Sequence, residues 1–366
     1  MGKKTKIGLC IAGVLLIILT IVFREQLTAD ATRTDLHRVR NVQLSPMYEQ
    51  DDNPIRVQDV VIYDLSGTNP RFTETAITWS YAGELNGAVP RVEHTTITPG
   101  KSLISSVSIS DSSIVFVPIT DQGRGTAAIT IYVGDESRTV FVRIYDLSLR
   151  LIALEFDDGP SRYTEQIVRT LNDAGVSASF YVTGRNFHDI AHEFIGVERY
   201  PDAAILAFVS GHHIGNHTYS HPWMRPHSGG FLAEFPEGQY KPWRQYTGEE
   251  VIWQVNRGDA AIYEVLGIIP TYYAPTYFYE GHNDYILTAG KTLSFRRFAI
   301  DSGDWCRETT REDIVNCVLS APENSTVVLH DVYQRTAEAI EAIVRSPQAR
   351  EIQFVTGYEM DMILGR

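Results

Sequence analysis

Hydrophobic and polar positions change rhythm three times along the chain. Residues 7–23 form an uncharged apolar run preceded by Lys3, Lys4 and Lys6. As a helix rising 1.5 Å per residue this run spans roughly 25 Å, enough to cross a thin or locally thinned bilayer. Flanking lysines stay on the cytoplasmic side, which puts the remainder of the chain outside. The run is longer than the apolar core of a cleaved leader, and no clean A-x-A site follows it, so an uncleaved anchor is favoured over a signal peptide. Cys10 falls inside the run, the wrong place for a lipid-bearing cysteine after cleavage. Residues 24–54 are polar, lack sustained periodicity, and read as a linker or stalk.

Between residues 55 and 147 the pattern becomes β-like. The runs are "VQDVVIYDL", "TETAITWSY", "RVEHTTI", "LISSVSI", "SIVFVPI", "TAAITIYVG" and "RTVFVRIYDL", divided by Gly, Pro, Asn, Asp and Ser at short, fairly even intervals. Such spacing predicts a small all-β sandwich. The stretch "GRGTAAITIYVGDESRTVFVRIYD" resembles the last hairpin of bacterial immunoglobulin-like domains. A module of this kind can bind sugar, but a spacer between membrane and a further domain is the simpler expectation.

From 148 to 366 strands alternate with helices. Strand candidates are "LIALEF", "ASFYVT", "TYYAP", "RFAI", "TVVLH" and "IQFVT". Thr247 and Glu250 make a capping-box pattern before "VIWQVNRGDAAIYEVL", and Gly267 stands at its C-terminal stop. Residues 163–172 carry Ile167, Val168 and Leu171 on one face and end at Gly175. Alternation of this kind predicts a parallel sheet or barrel covered by helices, with its chemistry at the C-terminal ends of the strands.

Polar clusters fall at those ends. Asp157 and Asp158 follow "LIALEF"; His217 and His221 lie in "GNHTYSHP"; Asp301 and Asp304 lie in "IDSGDW"; His330 and Asp331 close "TVVLH". Singly, each has an ordinary explanation: D-D-G-P is good turn chemistry, paired histidines occur on surfaces, and aspartates after strands cap helices. Together they assemble a hydrolytic constellation. Two imidazoles and one carboxylate are a familiar ligand set for a catalytic divalent ion. Neighbouring strand-end residues project in different directions, so Asp158 can serve the ion while Asp157 acts as general base on a water whose pKa the ion lowers toward ~7. His330 is placed to act as general acid for a leaving nitrogen, with Asp331 or Asp301 to hold its tautomer and raise its pKa.

Charge and cysteine content add two limits. A formal net charge of -13, with no basic cluster beyond the first residues, argues against a nucleic-acid partner. Outside the apolar run only Cys306 and Cys317 remain, and an exported chain makes either a disulfide or two buried thiols reasonable.

With "EFDD", "HTYSH", "DSGDW" and "VLHD" in this order, the chain from about residue 149 onward resembles the NodB-homology polysaccharide deacetylases, carbohydrate esterase family 4. The family's motifs are T-F-D-D, H-[ST]-x-x-H, D-x-x-D-W and L-x-H-D, and "SGHHIGNHTYSHP" reads like its approach to the metal histidines. The resemblance implies a distorted (β/α) barrel of NodB type and a divalent ion, usually zinc but cobalt or nickel in some members. It implies removal of N-acetyl groups from β-1,4-linked N-acetylglucosamine polymers. It assigns Asp157 as base, Asp158, His217 and His221 as metal ligands, and His330 as acid. Trp305 and Leu329 match the apolar pair that receives the acetyl methyl. "HDVYQRTAEAI" looks most like the peptidoglycan branch, so the expected partner is a cell-wall polysaccharide met by a membrane-anchored, extracytoplasmic enzyme.

One motif breaks. The family's R-x-P-Y carries an arginine that pairs with the catalytic aspartate, and here "APTY" puts Ala274 in its place, or Tyr273 if the match slides by one. Such an arginine lowers a carboxylate's pKa by ~1 to 3 units and fixes its rotamer. Without it Asp157 should be more basic and less well oriented, and Arg296, Arg297, Tyr273 and Tyr277 are candidates to compensate. Tyr277 keeps the oxyanion role, which works through its backbone N–H. Aromatic Phe231, Phe235, Tyr240 and Trp243 could face sugar rings or pack the long loop that carries them. An O-acetyl polysaccharide esterase would use the same residues, and a metal-containing glycan-binding protein with little turnover would retain the ligands without Arg at 274.

Overall fold

In the computed structural model the described residues are 47–49, 53–66, 75–188, 193–222, 247–278, 283–293 and 299–365. They fall into two compact units, one built from 53–144 and the other from 40–52 with 145–366. Residues 1–23, most of 24–54, the aromatic loop 223–246 and Arg296 and Arg297 lie outside the described residues. No helix among the described residues is long and apolar enough to cross a membrane.

The first unit holds two four-stranded sheets. Strands β1 (Ile55–Val57), β3 (Thr75–Tyr81), β6 (Ser113–Pro118) and β5 (Ile104–Ile109) form one, in the order β1-β3-β6-β5. Strands β2 (Val60–Asp64), β8 (Glu136–Tyr145), β7 (Gly125–Val133) and β4 (Arg91–Thr96) form the other, in the order β2-β8-β7-β4. Period-two alternation drives this arrangement: along β3 the buried Thr75, Ile77 and Trp79 alternate with exposed residues. Ile77, Trp79 and Phe116 from one sheet share a core with Ile129, Ile131, Val140 and Val142 from the other. All seven predicted runs are strands, and the short β1 is an addition.

The second unit is built on an all-parallel sheet. Its main strands are β9 (Arg150–Asp157), β10 (Ser179–Val182), β13 (His213–Asn216), β14 (Tyr272–Tyr273), β15 (Thr292–Leu293), β16 (Ala299–Asp301), β17 (Ser325–His330) and β18 (Ile352–Val355). Their order is β15-β14-β13-β10-β9-β17-β16, with β18 pairing the first half of β9. A small antiparallel hairpin, β11 (Asn186–His188) and β12 (Glu193–Ile195), stands apart. Parallel strands covered on both faces need continuous apolar runs, and β9, β10, β17 and β18 are buried along nearly their whole length.

Covering helices are α1 (Thr164–Ala174), α2 (Pro201–Val209), α3 (Gly248–Leu266), α4 (Asn283–Thr288), α5 (Arg311–Ser320), α6 (Gln334–Arg345) and α7 (Gly357–Leu364). The capping box at Thr247 and Glu250 is formed at α3, and Gly267 closes that helix in the left-handed region with φ of 72°. Gly175 does the same for α1. Cys306 and Cys317 are two free thiols. Because the sheet is parallel, the C-terminal ends of β9, β13, β14, β16 and β17 open on one side. Asp157 and His330 terminate β9 and β17 and face each other in register.

Candidate active site

Asp158 follows β9 with φ of 75°, a left-handed backbone that an aspartate tolerates better than most residues. The hydroxyl of Thr183, just after β10, donates to the Asp158 carbonyl at 2.9 Å and reaches the Gly159 carbonyl at 3.2 Å. Gly159 is required here: a Cβ would come 2.1 Å from Oδ1 of Asp331. The loop is also tied down by Ser161, whose hydroxyl donates to the Asp331 carbonyl at 2.6 Å.

His217 and His221 emerge from the end of β13. Between them Thr218 takes φ of 73° and its Oγ1 accepts the His221 N–H at 3.0 Å. His221 itself has φ of 53°, and Tyr277 and Phe278 have 56° and 53°. Four of the seven non-glycine residues with positive φ among the described residues, Asp158, Thr218, His221 and Tyr277, therefore gather at this one cluster, the pattern of backbone strain found at functional centres.

Nε2 of His221 stands 2.9 Å from Oδ1 of Asp158, and Nε2 of His217 stands 3.3 Å from the same atom. Nδ1 of His217 lies 2.7 Å from the carbonyl oxygen of Ala274, which can only accept, so Nδ1 carries the proton and Nε2 presents a lone pair. Oδ1 of Asp158 is buried without a hydrogen-bond donor. Lone pairs of one carboxylate and one oriented imidazole thus converge beside a second imidazole, an arrangement that fits a bound cation. Ligand atoms of Asp158, His217 and His221 all lie within 4.8 Å of one another.

Asp157 is buried beside this cluster, its Oδ2 3.8 Å from Nε2 of His217. On the far side His330 is gripped by Asp304: Nδ1 lies 2.7 Å from Oδ1, and the His330 backbone N–H donates to Oδ2 at 2.8 Å. The Thr336 hydroxyl donates to that same Oδ2 at 2.6 Å, so the carboxylate is fully oriented. Burial works against a charged His330, yet Asp304, then Asp158 and Asp157, push its pKa up to about 10.

This corrects the expected holder of His330. Asp331 turns away to accept from the Thr164 hydroxyl and to pack on Gly159, and burial pushes it up to about 7. Asp301 is exposed and accepts the Trp305 indole N–H, at 3.0 Å to Oδ2 and 3.2 Å to Oδ1. Asp304 alone of the three therefore meets the imidazole. Trp305 is 49% exposed, whereas Leu329 is wholly buried within β17. The Tyr277 ring lies 4.6 Å from that of His221. Ala274 buries a methyl where an arginine was expected, but its backbone still serves the site through His217.

Sequence reasoning missed Thr183, Asn216 and Gln254. Asn216 accepts the Thr218 N–H at 2.6 Å, and Gln254 accepts from the Ser220 N–H at 3.1 Å while its own carbonyl takes the Tyr219 N–H at 3.0 Å. The signal for Gln254 was present: it lies on the same face of α3 as Val251 and Val255, a polar residue where core was expected.

Residues 145–298 match the profile of a family described as polysaccharide deacetylase. Among curated proteins, peptidoglycan-N-acetylmuramic acid deacetylase PdaC of Bacillus subtilis is 26% identical over 220 residues, covering 60% of this chain and 40% of that protein. A peptidoglycan-N-acetylglucosamine deacetylase of Bacillus cereus is 26% identical over 211 residues, 56% of this chain and 66% of its own length. A chitin deacetylase of Pestalotiopsis sp is 26% identical over 202 residues, 52% and 58% of the two chains. The solved structure of PdaC from Bacillus subtilis aligns with a TM-score of 0.48 at 26% identity, over 60% of this chain and 94% of that one. The match to PdaC thus spans less than half of that relative's length. The family profile thus spans β9 to β15 with the histidine cluster between them, and it is to the polysaccharide deacetylases that this part of the chain is similar.

Proposed function

We propose that this chain removes N-acetyl groups from N-acetylglucosamine residues of a cell-wall glycan, peptidoglycan or a chitin-like polymer, by metal-dependent hydrolysis. The observation that carries the reading is the convergence of three ligand-type side chains flanked by a buried carboxylate, Asp157, and a carboxylate-bound imidazole, His330. Asp158, through Oδ1, and His217 and His221, through Nε2, are the residues that would hold the ion. A divalent ion there, zinc first and cobalt or nickel as alternatives, supplies Lewis acidity that brings a water's pKa toward ~7 and polarises the acetyl carbonyl.

The chain's own groups do the proton work. Asp157 takes a proton from the attacking water as its oxygen bonds to the acetyl carbon. The backbone N–H of Tyr277 donates to the oxygen that gains charge. As the carbon–nitrogen bond breaks, Nε2 of His330 gives its proton to the leaving nitrogen, and acetate and a free amine result. Trp305, half-exposed, offers an apolar face to the acetyl methyl, with Leu329 behind in the core. The apolar run of 7–23 supports anchoring in the cell membrane, and the β-rich unit of 55–147 is read as an immunoglobulin-like spacer that carries the domain toward the wall.

Ala274 favours a second reading, a metal-containing glycan-binding protein of low turnover, because it stands where the resembled family's motif has an arginine. Mass spectrometry of muramidase-digested peptidoglycan and of chitooligosaccharides, after incubation with the zinc-loaded chain, separates the two. Deacetylated glucosamine above the level of an Asp157→Asn control is the expected result. Bound glycan with no acetyl loss would leave the binding reading, and a rate increase in Ala274→Arg would identify the missing arginine as the limit on turnover.

A further inference from the structure

Behind the metal loop lies a buried ionic chain. Nζ of Lys291 sits 2.8 Å from Oδ2 of Asp259, 2.8 Å from the Pro270 carbonyl and 2.9 Å from Oε1 of Glu49. Oδ1 of Asp259 accepts from Nδ2 of Asn216 at 2.7 Å, and the same amide donates to the Val255 carbonyl at 2.8 Å. Oδ1 of Asn216 then accepts the Thr218 N–H at 2.6 Å. Asn216 and Thr218 flank His217, and the Thr218 hydroxyl holds the N–H of His221. Lys291, Asp259, Asn216 and Thr218 are all buried. Gly258 lets α3 come this close, since a Cβ there would stand 2.7 Å from Oδ1 of Asn216.

A buried ion pair is a poor source of stability, because desolvation offsets its attraction and an apolar pair of similar volume serves as well. What an apolar pair cannot supply is an acceptor of fixed position for Asn216. We propose that Asp259, neutralised by Lys291, is a positioning residue for the two metal histidines: it fixes the Asn216 amide, which fixes Thr218 and thereby the backbone on both sides of His217 and ahead of His221. This rests on the reading that the site holds a divalent ion, though not on any activity. Groups of this outer kind typically set metal affinity by ~10–100-fold.

The test is zinc titration of the chelator-stripped full chain against a chromophoric competitor, without substrate. Asp259→Leu with Lys291→Met removes the acceptor while leaving no buried charge, and zinc affinity is expected to fall at least ~10-fold. Asp259→Asn with Lys291→Met keeps an acceptor and is expected to recover most of that loss. Gly258→Ala presses on the same contact while raising helix propensity, and should weaken zinc in the same direction. Zinc affinity within about twofold of the parent in both the Asp259→Leu pair and Gly258→Ala would overturn the proposal, as would equal losses in the two double variants. A parent chain that fails to bind zinc would instead sink the metal reading on which it stands.

Discussion

Burial costs His330 its positive charge, whereas the Asp304 carboxylate 2.7 Å from Nδ1 favours it, and the second effect wins. The sign follows: with its pKa pushed up to about 10, the imidazolium proposed as donor to the leaving nitrogen persists through neutral pH and is lost only as pH rises through that value. Replacing Asp304 with Asn should bring the alkaline limb of the kcat/KM profile down toward the ordinary histidine range and lower activity at pH ~8 by on the order of 10²-fold. Asp331 has the opposite consequence. Burial raises it to about 7, so ionising it costs stability, which is greatest below the usual carboxylate range and falls as pH rises through 7. Asp331→Asn keeps an acceptor for Thr164 and should flatten that slope, as urea midpoints across pH ~4 to ~8 would reveal. The motif residues were legible in the sequence because their spacing is local. The partner of His330 was not, since Asp301, Asp304 and Asp331 all sit in motifs at strand ends, and the packing of α6 through Thr336 is what fixes Asp304 on the imidazole.

Helix α3 carries the loop of His217 and His221 on its inner face and draws its start from a capping box. Both halves are formed: the Glu250 N–H donates to the Thr247 hydroxyl oxygen at 3.2 Å, and the Thr247 N–H donates to the Glu250 carboxylate at 3.0 Å. Thr247→Ala should cost ~1 kcal/mol, read as a lower denaturant midpoint with an unchanged slope. The ends of α3 were readable because Thr, Glu and Gly signal them by chemistry. Strand β13 was not readable: His213, Gly215 and Asn216 give "HIGN" no apolar run, and it is a strand because β10 and β14 pair with it on either side. Strand β14 shrank to Tyr272–Tyr273 because the chain there leaves the ladder at once to bring the Ala274 carbonyl to His217.

For the whole molecule, the switch from evenly spaced β runs to strands alternating with helices separated antiparallel from parallel sheet, and the parallel sheet then dictated which ends of the strands gather the chemistry. What sequence left open was how the domain compensates for Ala274, since any effect of Arg296 or Arg297 depends on long-range placement. A bound ion couples site to fold: zinc at about 100 times its Kd should stabilise the second unit by ~2.7 kcal/mol, visible as a rise in Tm that chelator reverses. The central claim, that Asp157 and His330 work on an ion-activated water, is tested most directly by acetate release from purified peptidoglycan and chitooligosaccharides. The zinc-loaded chain should release acetate, and Asp157→Asn should lose ~10²- to 10⁴-fold in rate while binding zinc as tightly. Equal acetate release by parent and Asp157→Asn, or none from either on any N-acetylated glycan, would contradict it.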